Sequence, residues 1–396
     1  MPHPDPTGKV AAMPEPRPLL ASELEPLAIG AWILGAGGGG DPYHAYLNLR
    51  RLYAEGVTVS LLDPDELDDD ANIAVVSTMG SPLVGEERLT DPEVAALAVR
   101  QMEEHLGCRF DAVMSLEIGG SNSFQPLMVA AVMGLPVLDA DSMGRAYPEA
   151  QHSSFAIGDL KPYPLTLADV RDNAVVVSKV ASWKWMERLS RTVCAEVGSL
   201  AATCKAPRTG REVKEWGVLH TVTQAIRLGE VVMQARASKV DPVAAVVDHA
   251  GGLLLFSGKV VDVERRATEG FLRGTARVAG LDRDAGRVFR VDFQNEFTVG
   301  WVDDEVRVTV PDIICIMDAT TGDAIGTEAL RYGQRVKVIA LPAPELQTTA
   351  KGLEHVGPRA FGYDLDFRSV FGGGGMRGSC DGRGDASACG PSGDTP

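Results

Sequence analysis

Residues 33–42 read Ile-Leu-Gly-Ala-Gly-Gly-Gly-Gly-Asp-Pro, and five of these ten positions are glycine. Glycine loses more conformational entropy on folding than other residues, but without a Cβ atom it permits sharp turns and close approach of the backbone to a ligand. A glycine run this dense between two apolar segments therefore indicates a loop with a packing or binding role. The structure on either side of the loop decides which fold it belongs to.

The glycine run matches the dinucleotide-binding pattern G-x-G-x-x-G. That pattern requires a strand before the loop, a helix after it and an acidic residue about 20 positions further on. Pro42 suits the first position of a helix, and Asp63 ends a strand-like run at a suitable distance. Residues 22–25, however, have capping-box spacing, and residues 27–34 then predict a helix. We therefore favour a loop that cradles a substrate or an anion, with a tight helix–helix corner as the structural alternative.

Composition excludes several classes of protein. The chain has 396 residues, of which 45% are hydrophobic and 23% charged, as expected for a globular protein of two domains. The net charge is −16 and no basic tract occurs, which disfavours nucleic-acid and anionic-membrane binding. We expect a cytoplasmic protein, because no apolar run reaches bilayer-spanning length and the first residues lack signal-peptide features. The six cysteines form no C-x-x-C pair and are expected to be reduced.

The chain divides into two predicted domains with disordered ends. In residues 21–180 short apolar strands alternate with helices, which predicts an α/β domain with a mostly parallel sheet. In residues 181–370 strands are joined by Gly/Asp turns, which predicts a β-rich α+β domain. Residues 1–20 are proline-rich and residues 371–396 glycine-rich, and both are expected to be disordered. The apolar strands expected in the first domain are 73–77, 112–116 and 136–138, and the helices include 92–106 and 126–133.

Residues 117–122, Glu-Ile-Gly-Gly-Ser-Asn, follow one predicted strand directly. Ligands bind at the carboxyl ends of strands in α/β sheets, so Glu117 is a candidate catalytic carboxylate and Asn122 a candidate ligand-binding residue. The structural alternatives are an ion pair between Glu117 and an arginine, and a helix cap for Asn122.

A second polar motif, residues 139–149, follows the next strand. Alternation along an extended segment places Asp139 and Asp141 on one face. Such a pair can hold a divalent cation, or divide the roles of acid and base when one pKa is raised. The structural alternative is that Asp139 caps a turn and Arg145 pairs with Glu149 at i, i+4 spacing.

Other polar residues give weaker predictions. His44 could face the glycine run, although the surface of a helix is its expected location. Lys205 is expected to be solvated. Residues 293–296, Phe-Gln-Asn-Glu, form a polar cluster at a strand end that could reach the first domain.

Six motifs resemble those of the S-methyl thiohydantoin desulfurase family, which was long grouped among proteins of unknown function and is often associated with hydantoinase/oxoprolinase-type enzymes. The resemblance spans about residues 22–370. It implies an N-terminal α/β domain, a C-terminal β-rich domain and a hydrolysis that removes methanethiol from an S-methyl thiohydantoin, leaving a hydantoin. The motifs are residues 34–42, 117–122, 139–149, 225–229, 255–263 and 356–364.

The candidate residues can be matched to this reaction. Glu117 or Asp141 is expected to take a proton from the attacking water, and Asp139 is a third catalytic candidate. Loop amides can stabilise a developing anion, and Arg145 can clamp a substrate carboxylate. A divalent metal held by the same three carboxylates is an alternative activator of the water. The predicted substrate-binding residues are Gly37, Gly38, Gly39, Gly40, Asp41, Asn122, Arg145 and Glu149.

Two other functions stay open at this point. The chain could be a non-catalytic or accessory subunit that binds such a ligand beside a hydantoinase-type partner, or it could form a homo-oligomer. A dinucleotide-dependent enzyme is the third hypothesis, and it depends on the glycine pattern alone.

Overall fold

A computed structural model describes residues 16–80, 82–88, 91–268 and 271–372. Apolar runs bounded by Gly, Pro and Asp form most of its strands, as propensity predicts. The strands are β1 Arg17–Leu19, β2 Val59–Leu62, β3 Asn72–Gly80, β4 Ala112–Ser115, β5 Val137–Leu138, β6 Ala140–Asp141, β7 Leu165–Ala168, β8 Ala174–Val177, β9 Leu200–Thr209, β10 Val218–Leu219, β11 Leu253–Thr268, β12 Phe271–Gly280, β13 Val288–Gln294, β14 Glu296–Val302, β15 Glu305–Thr309, β16 Ile313–Asp318 and β17 Arg335–Leu341.

The helices follow the expected capping signals. Helix α4, for example, begins after Asp91, whose side chain accepts from the amide of Glu93, and ends at Gly107 in a left-handed conformation. The helices are α1 Leu24–Leu34, α2 Tyr43–Ala54, α3 Pro82–Glu87, α4 Pro92–Leu106, α5 Gln125–Met133, α6 Ser154–Ile157, α7 Trp183–Glu196, α8 Gly210–Trp216, α9 Thr221–Ala237, α10 Pro242–His249, α11 Glu345–Thr348 and α12 Ala350–Val356. Within the described ranges, none of them has the length and apolar character that a bilayer crossing requires.

The glycine run lies between two helices, α1 before it and α2 after it. A dinucleotide-binding turn requires a strand before the glycine run, where the structure has helix α1. The structure therefore contradicts the dinucleotide-binding interpretation of the pattern. Helix α1 packs closely against α9, because both helices place a glycine at the crossing. A Cβ atom on Gly30 would lie 1.8 Å from the carbonyl oxygen of Ala225.

The first sheet has eight strands in the order β1-β2-β5-β4-β3-β9-β7-β8. The four central strands β2, β5, β4 and β3 are parallel, whereas the remaining pairings are antiparallel. This mixed sheet, with its helices, confirms the predicted α/β class. Strand β9 belongs to it by pairing with β3 and β7. The predicted domain boundary at residue 180 therefore does not coincide with the edge of the first sheet.

The chain ends differ in part from the expected disorder. Residues 17–19 form β1, which pairs with β2, so the predicted disorder is wrong for this segment. The rest of the predicted disordered ends, 1–15 and 373–396, lies outside the described residues. Cys380 and Cys389 also lie there, and the four described cysteines are free thiols.

The second sheet has seven antiparallel strands in the order β15-β14-β13-β12-β11-β17-β16, which confirms the β-rich second region. Residues 253–268 form one long strand, β11, with a register shift between Leu254 and Phe256 in its pairing with β17. Buried aromatic residues of this sheet pack together, with the rings of Phe256 and Phe289 5.6 Å apart.

Backbone contacts join the second sheet to the glycine run. The amide of Phe297 donates to the carbonyl of Ala36 at 2.8 Å, and that of Thr327 donates to Gly37 at 2.8 Å. The start of β14 is therefore fixed against the loop that follows α1. This contact closes a cavity between the two regions of the chain.

Candidate active site

A cavity of about 520 Å³ lies where the glycine run, the carboxyl ends of β3 and β4, helix α7 and the start of β14 meet. Its volume is within the range of small-molecule sites. The charged residues along its wall come from several elements. Those that carry the chemistry discussed below are Glu117, Glu149, Glu187, Arg191, Lys205 and Glu296.

Close contacts explain why the loop consists of glycine. A Cβ atom on Gly38 would lie 2.1 Å from Oε1 of Glu296, and one on Gly39 would lie 2.4 Å from the carbonyl oxygen of Gly119. Gly39 also has φ +77°, a conformation that residues with a Cβ adopt rarely. Neither Gly39 nor Gly40 donates its amide hydrogen to another described residue. The loop therefore presents free donors at the cavity wall.

The carboxylate of Glu117 lines the cavity, and this residue is only 6% exposed. Its Oε1 accepts from Nδ2 of Asn122 at 2.5 Å, and its Oε2 accepts from the amide of Tyr147 at 3.0 Å. Burial raises the pKa of Glu117 to about 7, with a further raise from Asp141, against the lowering by these donors. A carboxyl with this pKa can accept a proton near neutral pH.

Glu296 lines the cavity from the other sheet and is 3% exposed. Burial, followed by the charge of Glu117, raises its pKa well above the ordinary value. Its Oε2 has no hydrogen-bond partner among the described residues. Burial therefore favours the protonated form of Glu296, and its Oε2 is free to donate or accept a hydrogen bond. The expectation that residues 293–296 reach the first domain is confirmed.

Asp139 is buried away from the cavity wall. Its Oδ1 accepts from the amides of Val222 at 2.8 Å and Thr223 at 3.1 Å, and Oδ2 accepts from the Thr223 hydroxyl at 2.5 Å. The carboxylate thus binds the free amides at the start of α9, which is a capping interaction made across the chain.

Asp141 is completely buried and also holds backbone donors. Its Oδ2 accepts from the amides of Ile118 at 2.8 Å and Met143 at 3.1 Å, and the amide of Gly144 lies 2.8 Å from the same atom. Burial raises the pKa of Asp141 to about 7, against the lowering by these amides. Asp141 therefore connects the segment after Glu117 to its own turn, and it does not line the cavity.

Arg145 is also buried and faces away from the cavity. Its guanidinium donates to the carbonyls of Pro311 and Asp312, each at 3.3 Å, and lies 4.6 Å from the centre of the Tyr147 ring. It therefore joins the two regions of the chain. Among the described residues it forms no ion pair with Glu149, so the predicted i, i+4 pairing is wrong.

The remaining predicted binding residues line the cavity, with the exception of Gly37. Gly38, Gly39 and Gly40 do so with Asp41, Asn122 and Glu149, whereas Gly37 packs against Phe297. Asp41 is exposed and its Oδ1 accepts from the amide of Tyr43 at 2.8 Å. Burial raises the pKa of Glu149, whose Oε2 accepts from Gln151 at 2.6 Å. His44 is exposed beside them on α2, at the cavity wall.

Several charged residues of the cavity wall were not among the predicted site residues, and three of them are Lys205, Glu187 and Arg191. Lys205, expected to be solvated, is only 3% exposed on β9, and this expectation was wrong. Glu187 is buried on α7 and pairs with Arg191, with 2.6 Å between Oε1 and Nε. The i, i+4 spacing of Glu187 and Arg191 was the signal available in the sequence, but such spacing is common on exposed helices.

The cavity carboxylates do not form a compact metal-ligand set. Within the described ranges, three ligand atoms lie within 4.8 Å of one another only at Asp63, Asp65 and His220, which are all exposed. The predicted metal candidates Glu117, Asp139 and Asp141 are not brought together in this way. Asp139 and Asp141 instead hold backbone amides, as described above.

These features define a class of two-region proteins in which an α/β sheet and an antiparallel β sheet enclose a cavity with buried carboxyls. The chain belongs to the S-Me-THD-like family, that is, the S-methyl thiohydantoin desulfurase-like family. Residues 22–179 match the model of its N-terminal domain, and residues 181–370 match that of its C-terminal domain.

A solved structure shares the fold. It is the X-ray crystal structure of a structural-genomics target protein from Chromobacterium violaceum, with 24% sequence identity and a TM-score of 0.73. The alignment covers 89% of this chain and 99% of that chain. No curated protein matches the chain.

Proposed function

We propose that the chain is a hydrolase of small cyclic amide-like rings, and that its reaction is the hydrolytic desulfuration of an S-methyl thiohydantoin to a hydantoin and methanethiol. The observation that carries the proposal is the buried Glu117 carboxyl, with a pKa of about 7, at the wall of a cavity of about 520 Å³. Membership of the S-Me-THD-like family supports the ring chemistry.

The chemistry requires a base for the attacking water. The ring carbon that bears the S-methyl group is amidine-like and electrophilic, and water adds to it after losing a proton. Glu117 is suited to accept this proton, because a pKa near the working pH leaves a substantial fraction ionised. Asn122 and the amide of Tyr147 hold both carboxyl oxygens in place.

The addition also places negative charge on the ring system. Burial favours the protonated form of Glu296, and in that form the carboxyl can donate a hydrogen bond to a ring nitrogen or carbonyl oxygen. The free amides of Gly39 and Gly40 are additional donors at the cavity wall. Donors fixed before the reaction stabilise developing charge without reorganisation, and each is typically worth about 10²–10³ in rate.

The roles of the other predicted carboxylates follow from their contacts. Asp141 holds the amide of Ile118, so we assign it to positioning the chain that carries Glu117. We assign Asp139 to holding the start of α9, and Arg145 to joining the two regions. A divalent metal would need ligands other than these. Metal analysis of protein purified without chelator tests that alternative.

The test is thiol release from an S-methyl thiohydantoin by the purified protein. We expect Glu117→Gln to lower kcat by about 10²–10⁴, because it removes the base and retains the shape. Glu66→Gln, at an exposed glutamate, is the matched control.

Two results would contradict the proposal. Full activity of Glu117→Gln would remove this carboxyl from the mechanism. A wild-type protein that binds the ring in calorimetry, but releases thiol only as background, would favour the accessory, ligand-binding function beside a hydantoinase-type partner.

A further inference from the structure

Lys205 is a buried cation that the proposed reaction has not yet used. It lies on β9 with 3% of its surface exposed, and it lines the same cavity as Glu117 and Glu296. Among the described residues Lys205 forms no ion pair, because no carboxylate oxygen lies within 4 Å of its ammonium group. A lysine is almost never fully buried without a partner, because desolvation of the charge is costly. Packing therefore gives no reason for an amine at this position.

The surroundings of Lys205 come from two neighbouring elements. Helix α7 contributes Glu187, Arg191 and Cys194, and the end of β4 contributes Glu117. Burial lowers the pKa of Lys205, Glu187 opposes this lowering, and Arg191 adds to it. The ammonium group is consequently a stronger acid than that of an exposed lysine, and carboxylates lie near enough to influence its charge.

The leaving group of the proposed reaction requires such an acid. Methanethiolate is a strong base, and its expulsion from the tetrahedral adduct is eased when a proton reaches sulfur as the bond breaks. Glu117 takes the proton of the attacking water, and a second group of the cavity wall can supply the proton for sulfur. Glu296 is already assigned to the ring atoms.

We propose that Lys205 is the general acid that protonates the departing thiolate, an inference that depends on the proposed hydrolysis. Water loses a proton to Glu117 and its oxygen bonds to the ring carbon. The carbon–sulfur bond then breaks, its electron pair goes to sulfur, and sulfur takes a proton from the Lys205 ammonium. The hydroxyl proton of the product moves to the ring nitrogen as the carbonyl forms, and transfer of the proton held by Glu117 to the Lys205 amine restores both groups. The sum is one water consumed and one methanethiol released.

The experiment compares two leaving groups of different basicity. One substrate carries S-methyl and the other S-trifluoroethyl, whose thiolate is a weaker base and needs less help from an acid. We expect Lys205→Met to lower kcat about 100-fold or more for the S-methyl substrate. For the S-trifluoroethyl substrate the loss should be at least about tenfold smaller, because proton transfer matters less when the leaving group is a weaker base. Lys184→Met, at an exposed lysine of α7, is the matched control and should leave both rates unchanged.

Lys205→Arg separates proton donation from charge alone. Arginine keeps a cation in the cavity but does not release a proton at working pH. It should therefore show the same leaving-group dependence as Lys205→Met, and it gives the same comparison if the methionine variant does not fold. Restoration of the S-methyl rate by arginine would show a purely electrostatic role and overturn the inference.

The failures of the two proposals are distinguishable. Equal losses for both substrates in the Lys205 variants, with an active wild type, would overturn the role of Lys205 and leave the hydrolysis standing. An inactive wild type on both substrates would overturn the hydrolysis and the inference together.

Discussion

The side-chain amide of Asn122 donates to Oε1 of Glu117 at 2.5 Å, while its own Oδ1 accepts from the amide of Thr78 at 2.8 Å. The orientation of the Glu117 carboxyl is thereby fixed by the adjacent strand β3. A hydrogen bond donated to a carboxylate favours its ionised form. Asn122 is therefore one of the groups that keep the pKa of Glu117 from rising further.

We expect Asn122→Ala to raise the pKa of Glu117 and to shift the acidic limb of the pH–rate profile to higher pH. Since the base must be ionised, kcat/KM should fall most at low pH and recover at high pH. The measurement is the pH dependence of kcat/KM for thiol release. An unchanged acidic limb would show that Glu117 is not the group that titrates.

The ionisation of Glu117 also affects stability. Burial raises its folded-state pKa from 4.5 to about 7, so the folded protein keeps this proton to higher pH than the unfolded chain. The associated stabilisation is complete below the unfolded pKa and is lost as the pH rises through the folded pKa. The full shift corresponds to a loss on the order of 3 kcal/mol in the free energy of unfolding.

Glu117→Gln lacks this titration and should show a flatter dependence of stability on pH. The measurement is denaturant unfolding of both proteins from about pH 4 to pH 8, over the window that the shift defines. Glu66→Gln should retain the wild-type dependence, because that glutamate is exposed. Parallel curves for wild type and Glu117→Gln would show that Glu117 titrates normally in the folded state.

The proposed donor role of Glu296 predicts a contrast between two substitutions. Glutamine retains a donor of similar shape, so Glu296→Gln should keep kcat/KM within about tenfold of wild type. Glu296→Leu removes the donor and should lower kcat/KM by about 10²–10³. If both substitutions abolish activity equally while the protein stays folded, the ionised carboxylate is the active form.

Local signals in the sequence were sufficient for much of the first region. Asp91 and Gly107 delimit α4, and β3, β4 and β5 form at the three predicted apolar runs. The helix before the glycine run was predicted from its apolar run, although it begins at Leu24, earlier than predicted. These features depend on neighbours in sequence, which is why they could be predicted.

Strand β9 shows why the rest of the site could not be predicted. It contains Pro207, and a proline within a run argues against an inner strand. The structure accommodates it at a register shift, where Ile73 pairs with Arg208 but Val75 pairs with Lys205. The burial of Lys205 depends on the preceding helix α7, and also on β3 and the end of β4, which are distant in sequence. No local pattern indicates such a contact.

Substitution of Asp139 tests whether its carboxylate is catalytic or structural. Because it holds the amides of Val222 and Thr223 at the start of α9, Asp139→Ala should lower the free energy of unfolding by about 1–2 kcal/mol. The activity of the folded fraction should remain close to wild type. Asp248→Ala, at an exposed aspartate, is the control for stability. Loss of activity without loss of stability would instead support the catalytic role predicted from the sequence.

The glycine run gives a last test, because comparison with a glycine elsewhere in the chain separates steric from conformational effects. A Cβ atom on Gly39 would lie 2.4 Å from the carbonyl oxygen of Gly119, in addition to the strain of φ +77°. Gly107 has a similar φ of +66° but nothing within 4 Å of its Cβ position.

Gly107→Ala should therefore cost about 1 kcal/mol of stability and leave thiol release unchanged. Gly39→Ala should lose more stability, since the loop must move away from Gly119, and it should lose activity as the free amides leave the cavity wall. Equal effects of the two substitutions on unfolding and kcat would show that close packing of the loop is not required for the reaction.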